Sequence, residues 1–359
     1  MRYAYGRRAG ALAAAIVLTT TGCSLVGGDD DKNGGTDDAS KGPKVVLVTH
    51  GSFSLPDDLI ADFEADTGLT LDIRTSGDAG ELTNKLVLTK DDPIGDVAFG
   101  VDNTFGSRAL SEGVFEPGAV AWPEGVSQYA LPGDEEHSLA PIDNGNVCVN
   151  IDDTWFTEHD VAPPTSLDDL ADPTYRGLFV TPSAATSSPG LAFLLATIAE
   201  YGDDWPDYWK RLMDNDTSIA SSWTDAYQVD FTQGGGDGDR PIVVSYDSSP
   251  AFTVAEGSDT STTSALLDTC FLQVEYAGVL AGAENPEGAT KVVEWLLSPA
   301  VQEALPENMY VFPTVDRIDL PAEWTAHVER PDAPLSLDPA EIDAERENWL
   351  REWNDITTR

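Results

Sequence analysis

Between residues 44 and 100 the chain alternates apolar runs of strand length with segments of helical period, and few folds admit that alternation. Residues 44–50 form an apolar run closed by the turn-like Gly51-Ser52. Residues 56–66 put Leu59, Ile60 and Phe63 on one helical face, with Gly68 placed to cap its C-terminus. Residues 69–73 alternate like a strand, 81–88 return to helix, and 95–100 read as a short buried strand. This is the βαβ grammar of a parallel sheet. A second unit follows: a helix from Ser166 with Leu167 and Leu170, a strand over 175–181, and a helix carrying Leu191, Leu194, Leu195 and Ile198. A further helix over 206–213 and a strand over 241–246 complete it. The body from residue 44 onward exceeds what one hydrophobic core usually holds, so two α/β domains are expected. Helices are also expected over 287–297 and 300–305. A last helix is signalled by Asp338-Pro339-Ala340-Glu341, a capping box with Pro at the first position. It sets Ile342, Trp349, Leu350, Trp353 and Ile356 on one stripe, and its tryptophans read as packing residues.

The N-terminus reads as a processing segment. Arg2, Arg7 and Arg8 precede a short apolar stretch over 9–18, then Thr20-Thr21-Gly22-Cys23. That stretch is too short to span a hydrocarbon layer of ~30 Å. Residues 1–22 resemble a bacterial lipoprotein signal, with Thr20 where such signals usually carry Leu and Cys23 as the lipidated residue. An ordinary secretory signal with an incidental Cys is the alternative. Arg7-Arg8 lacks the flanking residues of a twin-arginine signal. Residues 23–43, rich in Gly and Asp, have little to bury and read as a disordered tether. With 20 basic and 63 acidic residues the formal net charge is −43. Such a surface offers no basic footprint for nucleic acid; it favours a cationic ligand at long range only weakly, since adaptation to solubility or salt accounts for the acidity better. No Gly-x-Ser-x-Gly, His-Glu-x-x-His, Walker loop or clustered Cys/His metal pattern occurs, and four histidines offer little for acid–base work. No enzyme, metal or cofactor is expected.

Five segments carry the site chemistry. Gly77-Asp78-Ala79-Gly80 follows a strand, and Thr186-Ser187-Ser188-Pro189-Gly190 opens an apolar helix. Trp223 and Tyr227 lie in Ser222-Trp223-Thr224-Asp225-Ala226-Tyr227. Ser245-Tyr246-Asp247-Ser248-Ser249-Pro250-Ala251-Phe252 ends a buried strand, where ligands sit in open α/β sheets, and Asn308-Met309-Tyr310-Val311-Phe312-Pro313 comes late. In this order the segments resemble the thiamine-binding proteins of bacterial ABC importers, from about residue 44 to the C-terminus. The resemblance implies the type II periplasmic-binding-protein fold: two α/β domains joined by two crossover strands, with a ligand cleft between them. The expected domains are 44–144 plus 274–359, and 145–273.

The resemblance also implies the ligand, thiamine or its phosphates, and the contacts. Asp78 and Ala79 meet the aminopyrimidine amine. Ser187 and Ser188 meet ligand or simply cap a helix. Trp223, Tyr246, Asp247, Ser248 and Ser249 line the pocket, while Tyr227 reads as packing. Phe252 and Tyr310 stand where the family has a Tyr and a Trp, so ring stacking is kept. Asp247 replaces a small hydroxylated residue of the enterobacterial form; its charge would favour a cation and oppose a phosphate. His50 stands where that form has Tyr, as a ligand contact or a structural residue. Cys148 and Cys270 fall on the two crossover strands, and a disulfide between them is expected. The implied partner is an ABC permease, and the implied state a monomer held at the extracytoplasmic face of the cell membrane by lipid on Cys23. Two alternatives remain: a thiaminase-I-like enzyme using a free Cys148 thiol as nucleophile, and the same fold holding another solute such as a polyamine, phosphate or ferric iron. Iron is disfavoured because no Tyr-Tyr pair occurs.

Overall fold

The computed structural model describes residues 42–118, 120–254 and 259–358. The signal-like segment, Cys23 and all but the end of the tether lie outside the described residues. The first βαβ run comprises β1 (Lys44–Thr49), α1 (Asp57–Thr67), β2 (Thr70–Thr75), α2 (Ala79–Leu88) and β3 (Val97–Asp102). Gly68 closes α1 in the left-handed region at φ 69°, returning its N–H to the Glu64 carbonyl. After α3 (Gly106–Ser111) comes the long strand β4 (Ala140–Asp152), buried along its whole length. The second run comprises α4 (Asp153–Glu158), β5 (Phe179–Pro182), α5 (Ser188–Tyr201), α6 (Trp205–Asp214), β6 (Ser218–Ala220) and β7 (Ile242–Tyr246). The chain returns through β8 (Thr263–Val279) to α7 (Pro286–Leu296), α8 (Pro299–Met309), β9 (Phe312–Pro313), α9 (Ala322–His327) and α10 (Pro339–Thr357).

One sheet runs β2-β1-β3-β8-β4-β7-β5-β6, with β9 added to β4. Parallel blocks lie at its two ends, β2-β1-β3 and β7-β5-β6. They meet at the antiparallel pair β4–β8, so every strand-to-strand path between the blocks passes through these two strands. Cys148 of β4 and Cys270 of β8 are bonded as a disulfide, with their Cα atoms 4.1 Å apart.

The core divides in the same way. Two clusters, built on Val45, Leu47, Phe99 and Val293 and on Leu82, Val101 and Tyr276, lie around the first block. The largest cluster, built on Phe193, Trp209, Ile242 and Tyr246, lies around the second. Against the sequence expectation, α10 belongs to the second cluster: Ile342, Trp353 and Ile356 are buried in it, and Trp353 packs edge-on against Trp209 at 5.5 Å. The amphipathic stripe specified a buried face without specifying which core it faces. The helix expected from Ser166 is also shorter than anticipated. Leu167 and Leu170 are buried, but the segment forms only two single-turn 3-10 helices, Asp169–Ala171 and Pro173–Tyr175. Asp169 accepts from the Thr165 N–H and hydroxyl, and Pro173 has no N–H with which to continue a helix.

Candidate functional site

In each parallel block the strand ends carry the polar residues, and these converge on one cleft. His50 follows β1, Asp78 and Ala79 open α2 after β2, Ser188 and Pro189 open α5 after β5, and Tyr246 ends β7. All of them line a cleft of about 390 Å³, mouth included, together with Ser52, Trp223, Gln273, Glu275, Met309 and Val311.

Asp78 is the residue that joins the two sides. Its Oδ1 accepts from the Ala79 N–H at 2.7 Å at the start of α2, and its Oδ2 accepts from the Trp223 N–H at 2.9 Å. Two more contacts close the same lips: the Glu81 N–H donates to the Thr186 carbonyl at 3.2 Å, and the Ser52 and Thr224 hydroxyls lie 3.3 Å apart. Gly80 makes this approach possible, since a Cβ there would stand 2.8 Å from the Thr186 oxygen.

The aromatic wall is a connected set. Trp223 donates from Nε1 to the Ser245 hydroxyl at 3.0 Å, which fixes its ring. Tyr227 stacks on it at 5.2 Å with 10° between planes, in the packing role expected of it. The rings of Tyr246 and Tyr310 lie 6.1 and 5.9 Å from Trp223. Tyr246 donates to Gln273 Oε1 at 3.3 Å. Tyr310 sits in the left-handed region at φ 65° as the cap of α8, with its neighbours Met309 and Val311 on the cleft wall.

The structure assigns different surroundings to several other residues singled out in the sequence. Asp247 is fully buried and turned from the cleft: its carboxylate accepts from the Asn146 side chain at 2.7 Å and backbone at 3.1 Å, and Arg330 lies 3.6 Å away. Burial raises its pKa, while Asn146 and Arg330 oppose that shift. Ser248 donates to the Tyr310 carbonyl, and Ser249 is occupied by the Ser245 hydroxyl at 2.8 Å and the Tyr246 N–H at 3.2 Å. Phe252 packs on Tyr310 at 3.7 Å, behind the cleft rather than on its wall. Asp247, Ser248, Ser249 and Phe252 thus support the pocket from a second layer. Ser187 is the first residue of the α5 cap, yet its buried hydroxyl makes no capping bond and has no hydrogen-bond partner.

His50 is buried between Phe99, at 5.6 Å between ring centroids, and Gly100, where a Cβ would stand 2.1 Å from its ring. Its Nδ1 accepts from the Ser52 N–H at 3.2 Å, and its Nε2 lies 3.2 Å from Glu275 Oε1, in an ion pair not aligned as a hydrogen bond. Burial pulls the imidazole pKa down, but Glu275, with Asp78 and Asp102 behind it, draws it above the ordinary value. Asp102, at the end of β3, is pushed up to about 6 by burial, against the hydroxyls of Ser188 and Thr104. Glu275 and Gln273 are the wall residues that the sequence reading missed. Their signal was present: at i and i+2 they form a polar face on a strand whose other residues, Val274 and Tyr276, are apolar.

Residues 92–334 match the family of bacterial extracellular solute-binding proteins. The thiamine-binding periplasmic protein of Escherichia coli K12 is 30% identical over 325 residues, covering 88% of this chain and 94% of its own length. The protein of the same description from Salmonella typhimurium is 29% identical, with 83% of this chain and 87% of that one covered. A solved periplasmic thiamin binding protein superposes with a TM-score of 0.78 at 28% identity, over 89% of this chain and 97% of the other. Iron-bound HitA from Pseudomonas aeruginosa superposes with a TM-score of 0.68 at 20% identity, over 88% and 99%, a likeness of fold alone. The architecture is the type II periplasmic-binding-protein fold expected from the sequence. By sequence and by fold, the chain belongs to the bacterial extracellular solute-binding proteins.

Proposed function

We propose that this protein captures thiamine, or its phosphates, in the cleft between the two halves of its sheet and delivers it to the permease of an ABC importer. It works outside the cytoplasm as a monomer, tethered by lipid on Cys23. The two halves act as domains, 44–144 with most of the segment after 274, and 145–273 with α10 docked on it; β4 and β8 are the hinge. The observation that carries this reading is the meeting of Asp78 with Trp223 across the cleft, at 2.9 Å and beside Tyr246. A carboxylate and ring faces on one space suit a flat cation with a donor amine. Each ring face opposite the cation contributes ~0.5–2 kcal/mol, and the carboxylate adds a charge-assisted hydrogen bond. The buried hydroxyls at the α5 N-terminus are the group on this wall suited to a phosphate arm.

The thiaminase alternative needs a free thiol, and Cys148 is held by Cys270. A polyamine remains the competing ligand, because an acidic aromatic cleft also suits diammonium chains. Calorimetry with thiamine, its mono- and diphosphate, and spermidine decides between them. The expected result is binding of at least one thiamine form, spermidine roughly a hundredfold weaker, and thiamine recovered intact. Equal or tighter spermidine binding, or cleavage of thiamine, contradicts the proposal.

A further inference from the structure

Asp78 is one of two carboxylates on the cleft wall. Glu275 is the other, and it comes from the hinge strand β8 rather than from either parallel block. Only 5% of it is exposed. Among the described residues its one ion-pair partner is His50, at 3.2 Å. Directly opposite on β4, Asp143 stands in register with Glu275, and its carboxyl is held well above the usual carboxylate range, first by burial and then by Glu275. Asp143 is thereby biased towards its uncharged form. A buried carboxylate is costly without a counter-charge, and the His50 imidazolium at 3.2 Å supplies it. His50 cannot swing away, because Phe99, Gly100 and the Ser52 N–H hold its ring from three sides.

We infer that Glu275 is the ligand's second acidic contact, and that an organic cation of the thiamine class takes over from His50 as its counter-ion, so that binding expels the His50 proton. The inference rests on the thiamine reading and adds to it a specificity-determining pair. A cation arriving beside Glu275 also stands beside His50, and two like charges in a poorly solvated wall do not coexist; the imidazolium loses its proton because the ligand cannot. The free protein then binds protons more tightly than the complex does. Affinity for the cation consequently rises with pH across the window above ~6.5 in which His50 gives up its proton, and it levels off beyond that window. A neutral solute of the same shape gains nothing from this exchange.

The groups facing His50 are Glu275 on β8, Asp78 at the head of α2 and Asp102 at the end of β3, with Asp143 on β4 behind Glu275. Asp102 also titrates, near 6, so the measurement is made at pH 7 and above, where it is already ionised. Calorimetry of the mature, disulfide-intact protein with thiamine, in two buffers of different ionisation enthalpy, reads the protons released. The expected result is release of a substantial fraction of one proton per thiamine, with affinity rising up to tenfold per pH unit. In His50→Gln the release disappears and the affinity no longer depends on pH. In the unmodified protein, the Cε1–H resonance of His50, one of four histidines in the chain, moves from its imidazolium to its imidazole position as thiamine is added. Thiamine binding without proton release, release that persists in His50→Gln, or an unmoved His50 resonance would overturn the inference and leave the thiamine reading standing. No uptake of thiamine at all would overturn both.

Discussion

One oxygen of Asp78 holds the start of α2 and the other holds Trp223 from the opposite side of the cleft. Replacing it with Ala removes a helix cap, which costs about 1 kcal/mol of stability. It also removes the acceptor for the ligand's amine, so thiamine affinity falls at least roughly tenfold, about 1.5 kcal/mol. Asp247→Asn is the control that distinguishes wall from support. Its carboxylate already serves Asn146 and Arg330, so the substitution lowers the unfolding temperature and leaves thiamine affinity within about threefold of the parent. Tenfold losses from both substitutions would show that the sequence reading of Asp247 as a ligand residue was right after all. Asp102 makes a prediction of a different kind. Its carboxyl titrates at about 6 in the folded protein against an ordinary 3.8, so between those values the folded state holds a proton that the unfolded state has lost. Stability contributed by this group is present at low pH and lost as pH rises to about 6. Asp102→Asn retains an oxygen for the N–H groups of Thr104 and Phe105 without the buried charge. Urea unfolding at pH 4 and pH 7 should show the variant losing less stability over that interval than the parent, by on the order of 2–3 kcal/mol. Parallel pH curves for the two proteins would contradict it.

Elements explain which of these residues were legible beforehand. Asp78, Trp223 and Tyr246 were legible as cleft-wall residues because each sits where a strand ends and a helix begins, and such junctions leave marks in sequence: a glycine beside an acid, a Trp before a helical turn. Glu275 lies inside β8, where the surrounding residues advertise burial, and only the two-residue period with Gln273 marked a polar face. Asp247 lies off the cleft wall because a strand end has two sides, and the side taken is set by Asn146 and Arg330, which come from distant parts of the chain. The stripe on α10 was legible for the same local reason that its docking was not: periodicity reports a face, and contact with Trp209 reports tertiary structure. The central strands β4 and β8 carry their own prediction. The Cys148–Cys270 bond closes a loop of sequence separation 122 between β4 and β8, buried at both ends. Converting both cysteines to Ala should lower unfolding free energy by about 2–5 kcal/mol in urea titrations. A double variant as stable as the parent would show that the packed strands alone fix the hinge.

At the scale of the whole molecule, two parallel blocks share one sheet through two antiparallel strands, and their strand ends face one cleft. The acidity of the chain, −43 over its length, favours cations at long range, and the contacts at the lips of the cleft join its two sides. Family membership explains the frame, and the wall carries the groups on which the proposed choice of solute rests: carboxylates from the head of α2 and from β8, ring faces from the segment after β6 and from β7, and the Ser188 hydroxyl of α5. A crystal structure of the mature protein grown with thiamine tests this arrangement most directly. The expected result is the aminopyrimidine amine within hydrogen-bonding distance of Asp78, its ring against Trp223 or Tyr246, and the thiazolium on the Glu275 side of the cleft. Thiamine bound elsewhere, or bound in the cleft with Asp78 still joined to Trp223 and turned from the ligand, would contradict it.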